Sequence, residues 1–136
     1  MTRNKIWVFD DSNDELQTSA EFLRLIFPDM EVVPHQPLKT LPEYVPLVLD
    51  DPTTAGVFVD QKLEGSGVAA YFGIELAQYL GALDAKLPIY ILTNYSNERE
   101  QFLDGETSIE DILDKQKISD IDSQYIRTFQ ARFLRH

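Results

Sequence analysis

At 136 residues and 43% hydrophobic content, the chain is long and apolar enough to bury one core without covalent staples. Absence of cysteine excludes disulfides and thiolate metal sites, and 12 basic against 23 acidic residues, a formal charge of −11, argue against nucleic acid as a direct partner. No apolar run approaches the roughly 18 residues of a membrane helix, and the start MTRNKIWVF lacks a secretory cleavage pattern, so a cytoplasmic chain with no membrane insertion is expected.

The first apolar run, KIWVF (5–9), reads as a strand and ends on Asp10 and Asp11. Adjacent carboxylates resist joint ionisation unless a cation or a donor lies between them. Ser12 followed by Glu15 has the capping-box pattern, and Leu16, Ala20, Leu23 and Phe27 then recur at helical spacing until Pro28. MEVV (30–33) predicts the second strand. Residues 34–52 hold five of the seven prolines, so a helix there is short or kinked, starting near Thr40 with Pro42 in its first turn. AGVFV (55–59) is the third strand and ends at Asp60. EGSG (64–67) predicts a flexible turn, and the stretch from Glu64 to Phe72 a mobile surface feature.

Ile74, Ala77, Leu80 and Leu83 mark the next helix, and LPIYIL (87–92) a strand followed by Thr93. A short helix is predicted near 97–103. DILDK (111–115) is a fifth, less apolar strand closing on Lys115, and Ser119 and Asp122 signal a last helix carrying Ile121, Tyr125, Phe129 and Phe133. His35 and His136 stand alone and read as surface residues.

Continuous apolar strands alternating with helices predict a parallel sheet covered on both faces, with ligands at the carboxyl ends of its strands. Asp10, Asp11, Asp60, Thr93 and Lys115 all fall at such ends. Hard carboxylates suit an octahedral magnesium or manganese ion, and a carboxylate beside a cation can attack phosphorus. A lysine and a hydroxyl nearby would neutralise and hydrogen-bond the added phosphoryl group. Taken singly, each residue reads as a solvated cap or an ordinary strand end; the constellation carries the chemistry. A calcium loop over 10–15 fails, because Glu15 stands where a turn glycine is needed.

Through VFDD (8–11), VFVD (57–60), ILT (91–93) and DILDK (111–115), in that order, the chain resembles the receiver domains of two-component response regulators, the CheY-like family. The resemblance implies a single receiver-like domain over 1–136. Its fold would be α/β, flavodoxin-like: a doubly wound five-stranded parallel sheet of order 2-1-3-4-5 with helices on both faces. Asp60 would be the phosphoacceptor, with Asp10, Asp11, Asp60 and the backbone carbonyl of Lys62 around Mg2+ or Mn2+. Thr93 and Lys115 would hold the phosphoryl oxygens. The implied partners are a histidine kinase or histidine phosphotransfer protein and a downstream target protein.

The family pattern is broken at four places. Gln116 replaces the usual proline after the lysine, Ile112 the aromatic three positions before it, and Asn94 the small residue after the hydroxyl; an insertion of several residues separates Asp60 from Gly73. Asn94, Tyr95 and Ile112 are therefore the positions expected to modulate access or switching. Two functions compete: a stand-alone phosphorylatable receiver, a signalling domain whose only chemistry is its own phosphorylation and dephosphorylation, and a pseudo-receiver acting as a phosphorylation-independent interaction module. A hydrolase of the haloacid-dehalogenase type lacks its second acid, since neither DDSN nor DQKL supplies one two positions after the nucleophile.

Overall fold

The computed structural model describes residues 2–63, 67–94 and 111–135. Strands β1 (Lys5–Phe9), β2 (Glu31–His35), β3 (Thr54–Asp60), β4 (Ile89–Thr93) and β5 (Asp111–Asp114) form one parallel sheet in the order β2-β1-β3-β4-β5. The apolar runs are continuous because both faces are covered. Trp7, Phe9, Val57, Val59, Ile89 and Ile91 point to one side, where helix α2 (Gly73–Leu83) and the proline-rich segment pack. Ile6, Val8, Phe58, Tyr90 and Leu92 point to the other, under α1 (Asn13–Ile26) and α3 (Gln124–Leu134).

β2 runs two residues further than the sequence predicts and contains Pro34, which an edge strand accepts because one side of its ladder is open. His35 at its end is half-buried rather than a free surface residue: its ring packs 6.3 Å from Trp7 and 5.8 Å from Phe9. In the proline-rich segment Thr40 does open a helical turn, Leu41–Glu43, with Pro42 inside it. A wider turn follows over Val45–Leu49, closed by Asp50 N donating to Val45 O at 2.9 Å. Pro46 has no N–H to continue a regular helix.

The last helix starts later than predicted. Ser123, not Ser119, is its cap, accepting from Ile126 N at 3.2 Å, while Ser119 closes a short turn over Lys117–Ser119. Ile126 joins Phe129 and Phe133 in the core. The helix predicted near 97–103 and His136 lie outside the described residues, as do Glu64, Gly65 and Ser66.

The expectation of a mobile surface feature up to Phe72 is corrected by Tyr71. Phe72 is 44% exposed, but Tyr71 is only 6% exposed and joins the α2-side core. Its hydroxyl donates to Leu38 O and pairs with Tyr44 Oη, whose own oxygen accepts from Leu38 N. An aromatic ring buried with its hydroxyl satisfied anchors a segment whose glycines alone suggest freedom.

Candidate functional site

Sheet register assembles the site. Phe9 pairs with Val59, which sets Asp10 beside Asp60; Asp60 lies opposite Leu92, and Thr93 opposite Asp114. Lys115 N then donates to Thr93 O at 2.9 Å, carrying the lysine to the same edge. Asp10, Asp60 and Thr93 are buried and Asp11 is half-buried.

Lys115 is the hub. Its ammonium lies 2.7 Å from Asp60 Oδ1, 2.9 Å from Asp10 Oδ2 and 3.3 Å from Glu15 Oε1. The second oxygen of Asp60 accepts from Lys62 N at 3.1 Å, and Asp10 Oδ1 accepts from Ser12 N at 3.0 Å. Burial, reinforced by the neighbouring Asp10 charge, pushes the Asp60 pKa up to about 6 against the pull of Lys115. Burial likewise raises Asp10. It opposes the charge on Lys115, but the hydrogen bonds and charges of Asp60 and Asp10 outweigh it and hold the ammonium above its ordinary pKa.

One oxygen from each of Asp10, Asp11 and Asp60 can be chosen so that all three lie within 4.8 Å of one another. Hard oxygen donors this close fit a divalent cation such as Mg2+. Lys62, the backbone ligand the resemblance implies, follows directly in the β3–α2 connection with its side chain exposed. Tyr95 lies outside the described residues. Ile112 is buried at 2% exposure, paired with Ile91 inside the α2-side core.

Three contributors escape a linear reading. Glu15 reads as the second half of a capping box, yet only the Ser12 half forms, with Ser12 Oγ accepting from Glu15 N at 3.4 Å. Asp10 has taken the Ser12 N–H, so the Glu15 carboxylate turns instead to Lys115 and to Asn94, whose Nδ2 donates to Glu15 Oε1 at 3.0 Å. That hydrogen bond, with Lys115 adding to it, lowers the Glu15 pKa. Gln61 is buried and caps α2 from outside the helix, its Oε1 accepting from Ile74 N at 3.0 Å. Gly73 packs so closely on β3 that a Cβ there would overlap the carbonyl oxygen of Asp60. Of the three, only Glu15, through its place in the capping-box pattern, carried a hint in the sequence.

No family model and no curated protein sequence matches the chain. Solved structures do. A response regulator receiver domain protein from Clostridium thermocellum superposes with a TM-score of 0.64 at 17% identity, covering 95% of both chains. TrrA, a response regulator from Thermotoga maritima in complex with Mg2+ and BeF, gives 0.67 at 17% identity, covering 96% of this chain and 98% of its own. RcsB, a response regulator from Salmonella typhimurium, gives 0.67 at 20% identity over 96% of this chain, which spans 61% of that longer one. The chain has the receiver fold. In the receiver fold of this chain the carboxylate cluster occupies the carboxyl edge of the central strands β1 and β3, flanked by β4 and β5, where open parallel sheets place their ligands.

Proposed function

We propose that the chain is a signalling receiver that accepts a phosphoryl group on Asp60 from a histidine kinase or histidine phosphotransfer protein. It then acts through protein contacts with a downstream target. The observation that supports this most is that Asp60 lies 2.7 Å from the Lys115 ammonium and clusters with the Asp10 and Asp11 carboxylates.

In the reaction an Asp60 oxygen attacks phosphorus, forming an O–P bond as the P–N bond of the donor phosphohistidine breaks and its electron pair returns to the imidazole. Asp10, Asp11, Asp60 and the Lys62 carbonyl would hold magnesium, which when bound supplies positive charge against the phosphoryl oxygens. Lys115 moves its ammonium from the carboxylate to the new phosphoryl group, and the Thr93 hydroxyl donates to another of its oxygens. The buried Ile112 supplies no rotating aromatic, so the signal leaves by another route than the one usual in the family.

Intact-mass measurement after incubation with Mg2+ and a small acyl phosphate tests the reading. Wild type should gain one phosphoryl, hydroxylamine-sensitive, and Asp60→Asn none; Lys115→Ala should still label, since it forms no bond to phosphorus. Equal labelling of wild type and Asp60→Asn would remove Asp60 from the role, and no labelling of wild type would favour a pseudo-receiver, an interaction module independent of phosphorylation.

A further inference from the structure

Glu15 and Asn94 are not among the groups that the proposed reaction uses, yet both touch its centre. Asn94 at the end of β4 ties Glu15 of α1 across the site at 3.0 Å, and the same Glu15 oxygen lies 3.3 Å from Lys115 Nζ. Lys115 is nearly enclosed, at 8% side-chain exposure, whereas Glu15 is 45% exposed. The outer groove of about 310 Å3 between α1 and the β5 turn is lined by Glu15, Asn94 and Lys115 but not by Asp10 or Asp60. Of these three, Lys115 also touches Asp10 and Asp60, so it links that groove to the carboxylates.

A third carboxylate on one ammonium has a consequence for any anion that must reach Asp60. An incoming phosphoryl group has to draw Lys115 away from Glu15 while approaching that uncompensated negative charge. We infer that Glu15, held in place by Asn94, is an anionic clasp on Lys115 that slows phosphoryl acceptance at Asp60, with Asn94 as its positioning residue. The inference rests on the reading of Asp60 as acceptor. It also assigns a task to the departure at position 94: a small residue there could not reach Glu15, leaving Lys115 at 3.3 Å to hold the half-exposed carboxylate without the amide.

The test separates charge from tether. Glu15→Gln keeps an oxygen for the Asn94 amide but removes the charge; Asn94→Ala keeps the charge but releases it. With Mg2+ and a small acyl phosphate, Glu15→Gln should label about five- to tenfold faster than wild type, the effect of one unit charge near the transferring group. Asn94→Ala should be faster by a smaller factor. The gain in Glu15→Gln should shrink as salt is raised, which a merely structural role would not produce. In the metal-free proteins, without donor, the Lys115 ammonium protons followed by NMR should exchange with water faster in both variants. If wild type labels and Glu15→Gln is no faster, the clasp is overturned while the acceptor role stands; an unchanged Asn94→Ala rate overturns the role of Asn94. If neither wild type nor Glu15→Gln labels, the acceptor reading falls and the clasp with it.

Discussion

Asp60 couples protonation to stability because the folded chain holds its proton more tightly than the unfolded one. Its pKa stands near 6 in the fold against 3.8 ordinarily, with Asp10 shifted in the same direction. A carboxyl whose pKa is raised by folding opposes the folded state at high pH and stops doing so as pH falls through the folded value. Metal-free protein should therefore become more stable as pH drops from about 7 to about 4, by on the order of 1–3 kcal/mol. Asp51 works with the opposite sign: the hydrogen bond from Lys5 lowers it to about 2, so its contribution is full above 3.8 and is lost only as pH falls towards 2. The window between the two belongs to the acidic cluster. Thermal melts in chelator across that range should show the rise in wild type and a flatter profile in Asp60→Asn. A wild-type profile that falls steadily over the same interval would show that Lys115 compensates the cluster fully.

At the scale of elements, the β3–α2 connection matters most, because it starts at Asp60 and ends where Gly73 presses on the Asp60 backbone. Gln61 caps the helix from the strand side, Gly73 N donates to Gln61 O at 2.9 Å, and Tyr71 pins the preceding residues to Leu38 and Tyr44. Tyr71→Phe keeps the buried ring but leaves Leu38 O without this donor and Tyr44 without its hydroxyl partner. A loss of about 1–2 kcal/mol is expected, read as a lower urea midpoint at unchanged slope. A midpoint equal to wild type would mean that ring burial alone holds the connection.

Over the whole molecule the charge is −11; Asp10, Asp11 and Asp60 cluster at the strand ends, and Lys115 pairs with Asp10, Asp60 and Glu15 of α1. A divalent cation that binds only the folded cluster must raise the melting temperature by mass action, by about 2.7 kcal/mol of stability at a hundred times its dissociation constant. Magnesium should thus shift the melt of wild type upward and shift Asp60→Asn much less. Equal shifts in the two would place the bound cation elsewhere on this acidic surface.

The sequence by itself determined the strands, the first helix and the constellation at the strand ends. Four continuous apolar runs and the stripe ending at Pro28 needed only local side-chain chemistry, and the residues following those runs could be named as strand ends before any register was known. Sheet order, and with it the proposed ligand roles, came through a family resemblance, since alternation alone implies parallel strands but not their neighbours. Tertiary structure decided everything that depends on competition between distant groups. Glu15 had two possible partners, and Asp10 settled the matter by occupying the Ser12 N–H. Tyr71 sits beside glycines that suggest freedom, yet its hydroxyl finds Leu38 and Tyr44 across the fold. The last helix starts at Ser123 rather than Ser119 because Ile118, buried under β5, holds the intervening turn. Local patterns rank what each residue can do; which of those options it takes is set by the donors, charges and apolar surfaces that folding brings within reach.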